Sequence, residues 1–151
     1  MIFPYSSITS VEPLTGDFLL LRRPEIPVKI RGPKGSATYV GLVDTGSDNT
    51  IFPRSVADFL GISLEATSGP QASVFGGQRI RLRTGGAVLS LESGDESMGW
   101  NTPVCFFEFP TANEETVILG HAGFLDYFTA TFDGKLGIVT LIPNDDFPLS
   151  N

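Results

Sequence analysis

The chain holds one cysteine, one histidine and ten basic residues in 151 positions, and each scarcity removes a class of function. A lone Cys105 closes no internal disulfide, and with His121 as the single imidazole it cannot complete a zinc or iron–sulfur ligand set, so neither metal nor cofactor is expected. Ten Lys and Arg against seventeen Asp and Glu leave a net charge of −7, the wrong sign for gripping phosphates, which excludes nucleic acid as an expected partner. The one basic stretch, Arg79-Ile80-Arg81-Leu82-Arg83, alternates as the solvated face of a strand would. Long apolar runs are missing too. Phe18–Leu21 is far too short to cross a bilayer, and residues 1–16 lack the basic and apolar regions of a signal peptide, so a cytoplasmic protein without membrane association is expected. Phosphate-loop, serine-elbow and calcium-loop patterns are all absent from the sequence. Cys105, within the apolar run Val104-Cys105-Phe106-Phe107, reads as a buried, inert thiol.

What is present suits one β-rich domain. Hydrophobic residues make up 41% and charged ones 18%, enough for a core and too little charge for disorder. A chain of this length buries about 68–70% of its unfolded surface. Gly (17) and Pro (11) together form about 19% of the chain against an average near 12%, which favours short strands and turns over a helix bundle. The pattern predicts an irregular arm over 1–16, a single domain over 17–142 and a tail over 143–151. Within the domain, strands are predicted at Asp17–Arg22, Ile26–Arg31 and Ala37–Val43, with a turn at Gly32–Gly35. A short helix over 54–61 follows from Val56, Phe59 and Leu60, with Gly61 as its stop. Ser73–Phe75 and Gln78–Ile80 flank Gly76-Gly77 as a hairpin, and Gly85-Gly86 is expected to break the chain before a strand at Ala87–Leu91. A polar loop over Ser93–Gly99, a strand at Thr102–Phe109, a loop over Pro110–Glu115 and a buried strand end at Val117–Leu119 come next. A short helix at Gly123–Phe128 and a hairpin of Thr129–Asp133 with Leu136–Ile142 complete the reading.

By elimination the chemistry falls to carboxylates. The segment Val40-Gly41-Leu42-Val43-Asp44-Thr45-Gly46-Ser47-Asp48 runs an apolar strand into an Asp and then a Gly, which lets the backbone turn tightly. This sets Asp44 at the mouth of a β core with turn N–H groups aimed at it; Asp-Thr-Gly by itself reads equally well as an ordinary turn at a strand end.

Leu42-Val43-Asp44-Thr45-Gly46-Ser47 resembles the active-site motif of aspartic proteases, and Val117-Ile118-Leu119-Gly120 resembles that family's later apolar-apolar-Gly mark. The 123–133 segment is similar to the ending of bacterial retropepsin-like proteins, so the resemblance is to a single-domain, retroviral-type aspartic protease of bacterial type, over roughly 26–142. It implies an all-β fold, a closed or partly open acid-protease β-barrel with a flap hairpin and one or two short helices. It also implies an aspartic endopeptidase acting on polypeptide substrates. The sequence contains one Asp-Thr/Ser-Gly tripeptide, whereas the chemistry needs two carboxylates sharing a proton around a water. Two copies must therefore each supply Asp44, and a homodimer is expected.

The resemblance assigns Asp44, Thr45 and Gly46 to catalysis, with Thr45 bonding across the dimer axis. Ser47, Asp48, Phe75, Gly76, Gly77, Ile118, Leu119 and Gly120 are assigned to substrate binding. Ser47 stands where retroviral enzymes commonly carry Ala, and its hydroxyl is expected to donate to the carboxylate. Asp48 matches a position that pairs with an Arg after the second Gly; here His121 stands there, either as the partner of Asp48 or as a structural histidine. Phe75 either lines the pocket or packs beneath the flap. The missing Arg, the long 91–101 segment and chain ends that do not read as clean strands are departures from the family pattern. A non-catalytic peptide-binding or dimerisation module is the alternative, and a processing subunit dedicated to one partner is a third reading.

Overall fold

A computed structural model describes residues 1–66, 73–75, 78–107 and 116–148. Among the described residues, fourteen strands, one α-helix and one 3-10 turn make a mostly β fold. Six strands close a barrel: β4 (Glu25–Gly32), β5 (Gly35–Val43), β6 (Ile51–Pro53), β10 (Leu82–Ser93), β11 (Glu96–Phe107) and β12 (Val117–Leu119). Around the ring the order is β11-β6-β12-β5-β4-β10, and β10 pairs with β11 to close it. The short β7 (Glu65–Ala66) adds to the side of β10. Among the described residues no helix is long and apolar enough to cross a membrane.

Alternation builds the barrel wall. In β4, Ile26, Val28 and Ile30 point inward and are fully buried, while Lys29 and Arg31 stay in water. Leu89 and Leu91 of β10 and Trp100, Val104 and Phe106 of β11 fill the same core. Trp100 has no exposed surface, and its indole N–H donates to the Gly123 carbonyl at 3.0 Å, which satisfies the one polar atom it carries inward. Helix α1 (Arg54–Leu60) buries Val56, Ala57 and Leu60 and ends at Gly61, whose φ of 69° is the left-handed cap that glycine adopts without a Cβ clash.

A second sheet joins β1 (Ile2–Pro4), β14 (Ile138–Pro143) and β13 (Phe128–Asp133). It corrects the expectation of an irregular arm over 1–16. Phe3 is buried opposite Val139, and the Met1 ammonium donates to the Leu141 carbonyl at 3.0 Å. The partner strand lies some 135 residues further along the chain, beyond what local pattern reveals. The rest of that segment forms β2 (Ser6–Val11), which pairs with β3 (Phe18–Arg23) as a separate two-stranded arm.

Two further expectations are overturned. Gly85-Gly86 does not break the chain; β10 runs straight through it. A Cβ on Gly85 would lie 2.7 Å from Ile62 Cγ2 and 2.9 Å from the Ser63 carbonyl, so this glycine lets the strand pass under the segment after α1. The polar stretch 93–99 is no loop either. It is the end of a long hairpin whose turn falls at Gly94 (φ 59°) and Asp95, with Ser93 opposite Glu96. The predicted 123–128 helix is the 3-10 turn Leu125–Tyr127, and the 110–115 loop lies outside the described residues. Beyond β14, Phe147 packs edge-on against Trp100 at 5.6 Å, so part of the tail belongs to the core.

Candidate active site

β5 carries its apolar residues to Val43, and the chain turns out of the sheet at Asp44. Asp44 is half-buried, and its Oδ1 accepts a hydrogen bond from the Gly46 N–H at 2.9 Å. This contact closes the turn and holds one carboxylate oxygen in a fixed direction. Thr45 and Gly46 are exposed at the tip.

The loop is stitched along its length to the segment following β12. β12 lies parallel to β5, with Ile118 opposite Leu42 and Leu119 opposite Val43. The Asp44 N–H donates to the Leu119 carbonyl at 3.0 Å, and the His121 N–H donates to the Ser47 carbonyl at 2.9 Å. The Ala122 N–H then donates to the Asp48 carbonyl at 2.9 Å, and the Thr50 N–H to the Ala122 carbonyl at 3.0 Å. Gly120 lies where the two segments touch: a Cβ there would fall 2.3 Å from the Asn49 carbonyl oxygen and 2.6 Å from that of Ser47. Only a residue without a side chain permits this approach.

Several assigned residues take other parts. The Ser47 hydroxyl donates to the Asn49 carbonyl at 2.8 Å and not to Asp44, whose Oδ1 takes its hydrogen bond from the Gly46 N–H. Ser47→Ala is therefore expected to act on stability, removing one net hydrogen bond worth about 1 kcal/mol and lowering Tm by about 2–4 °C in thermal unfolding. His121 does not face Asp48. Its Nε2 lies 3.2 Å from the Thr45 carbonyl, which can only accept, so Nε2 carries the proton. Its Nδ1 is 3.5 Å from Asp126 Oδ1, a contact that is ionic only with the ring doubly protonated. The acid partner thus comes from the 3-10 turn that follows, five residues on, a spacing that only the fold creates.

Ile118 and Leu119 are core residues, 4% and 0% exposed, and do not line a surface cleft in the single chain. Ile118 packs with Ile51, Leu82 and Phe107, and Leu119 beneath the loop with the main core. The hairpin ahead of β10 is present as β8 (Ser73–Phe75) and β9 (Gln78–Ile80), with Phe75 opposite Gln78. Its tip, Gly76 and Gly77, lies outside the described residues, as does the Phe75 side chain. Burial pushes the Cys105 thiol above its ordinary range, partly offset by a hydrogen bond with Thr84, in keeping with an unreactive side chain.

No protein-family model matches the chain, and no curated protein matches it. Among solved structures, it is similar to the EIAV protease complexed with the inhibitor HBY-793, at 16% identity and a TM-score of 0.45, over 74% of this chain and 88% of that one.

Proposed function

We propose that the protein is an aspartic endopeptidase whose active site forms between two copies, each contributing Asp44. The observation that carries this reading is the anchoring of Asp44: its loop is held by backbone hydrogen bonds to the 119–122 segment, while its tip stays open to solvent. Preorganised carboxylates need such a frame, because a small displacement at the reacting centre costs orders of magnitude in rate.

Across a two-fold axis, two Asp44 side chains close together cannot both ionise, so they hold one proton between them. The ionised carboxylate takes a proton from a water, whose oxygen attacks the peptide carbonyl carbon. The protonated carboxyl donates to the carbonyl oxygen, giving a neutral tetrahedral diol. A proton then passes to the amide nitrogen, the C–N bond breaks, and the pair returns to its starting state. Gly46 fixes the carboxylate orientation through its N–H, Thr45 at the exposed tip is available to bond across the axis, and Asp48 is exposed for contact with substrate backbone. The 73–80 hairpin would cover an extended polypeptide and exclude water. Apolar side chains beside the scissile bond follow from the family resemblance.

The test is incubation of the protein with a mixed peptide library between about pH 4 and 7, a window around the reference carboxylate range, with Asp44→Asn in parallel. Cleavage that depends on Asp44 supports the reading. Peptide binding with no cleavage at any pH would instead make the protein a non-catalytic module.

A further inference from the structure

The β2–β3 hairpin is an arm with a bare apolar face. Among the described residues its two strands pair only with each other. Six paired residues make it about 20 Å long. Register puts Ser6, Ile8 and Ser10 with Leu19, Leu21 and Arg23 on one face, and Ser7, Thr9 and Val11 with Phe18, Leu20 and Arg22 on the other. The β2 residues of the first face are partly covered; every residue of the second is exposed. On that second face Phe18 is 81% exposed, Leu20 66% and Val11 52%, and Leu14 in the connecting turn is 93% exposed. The turn is ordered by Glu12 and Asp17 backbone bonds, and the arm is rooted beside the candidate site: the Val43 N–H donates to the Pro24 carbonyl at 2.9 Å, one residue before Asp44. Ser6 and Arg23 both bind Glu25 at that root.

We propose that this face is covered by a second copy of the chain, and that the arm is the element joining the two halves of the active site. The proposal rests on the reading of Asp44 as half of a shared pair. Area supports it: Val11, Leu14, Phe18 and Leu20 expose on the order of 500 Å² of apolar surface, near the most a monomer ordinarily shows as one patch. Two such faces meeting bury about 1,000 Å², and each lying on the other's body about 2,000 Å², which brackets the range of stable protein interfaces. Charge supports it as well. Two chains of net charge −7 repel, yet the face of the two strands carries no acid, only Arg22, and Glu12 and Asp17 stand beyond it in the turn that bears Leu14.

Sedimentation equilibrium of the full chain, the double variant Phe18→Ser/Leu20→Ser, and Asp44→Asn tests the proposal. Wild type and Asp44→Asn are expected to be dimers, and the double variant to dissociate at least about 100-fold more readily, with far-UV and near-UV circular dichroism at 25 °C unchanged. Should the double variant lose its native spectrum, Thr9→Lys on the same exposed face serves in its place and is expected to give the same weakening. A double variant as dimeric as wild type overturns the role of the arm and leaves the shared-Asp44 reading standing. A wild type that stays monomeric at about 100 µM overturns both. Flotation with phosphatidylcholine/phosphatidylserine vesicles that depends on Phe18 and Leu20, in a monomeric wild type, would give the face to a lipid surface and overturn the proposal.

Discussion

Asp44→Asn is expected to lower kcat for peptide cleavage by more than about 10⁴-fold, because in a symmetric dimer one substitution removes both the general base and the general acid, each worth about 10²–10⁴. An amide neither takes the proton from water nor shares one with its twin. The fold should survive. Asn keeps an oxygen that can accept from the Gly46 N–H, and the four backbone bonds that hold the loop do not involve the side chain. Tm within about 2 °C of wild type, measured beside the loss of activity, separates a chemical effect from unfolding. Undiminished cleavage by the purified variant would end the assignment.

The same substitution tests how the site is shared. If each active site needs one Asp44 from each chain, a mixed dimer is as inactive as the Asn homodimer. Mixing wild type and Asp44→Asn in equal amounts and allowing the subunits to exchange should then leave about one quarter of the activity, because only the wild-type pairs work. Independent sites on single chains would leave one half. The measurement needs only activity against mixing ratio, and curvature distinguishes the two cases at every composition.

How much of this was legible from sequence depends on the range of the interaction involved. The β4 alternation, the Gly61 helix stop and the run of β5 into Asp44 are local, and the chain folds at those places as its pattern predicts. Gly120 was legible as a mark, but its reason, contact with the carbonyls of Ser47 and Asn49 some seventy residues earlier, exists only in the folded chain. The same holds for β1, whose partner is β14, and for Gly85, which looks like a break until Ile62 and Ser63 are seen above it. Ile118 and Leu119 are assigned to substrate binding by the resemblance of Val117–Gly120 to the apolar-apolar-Gly mark; paired parallel to β5, both are buried in the single chain. Phe18–Leu21 lies in a predicted strand, and the strand is there, but its apolar side chains are exposed on both faces, which no local pattern announces.

Gly120→Ala is expected to be the most destabilising small substitution near the site. The added Cβ would lie 2.3 Å from the Asn49 carbonyl oxygen, 2.6 Å from that of Ser47 and 2.7 Å from the Asn49 carbonyl carbon. All three are backbone atoms, so no side chain can swing aside, and the two segments must separate. Separation strains the His121 N–H bond to Ser47 and the Ala122 N–H bond to Asp48, which together hold the Asp44 loop. Overpacking of this kind costs roughly 3 kcal/mol or more, and at about 2–4 °C per kcal/mol for a chain of this size Tm should fall by about 10 °C. Gly86→Ala is the matched control, since a Cβ there meets nothing within 4 Å, and its Tm should stay within about 2 °C of wild type. Activity should fall further in Gly120→Ala than the folded fraction alone explains, because the carboxylate frame itself has moved. Equal melting of the two alanine variants would mean that the segments are not in contact at Gly120, and the rigid loop on which the proposed chemistry depends would lose its physical basis.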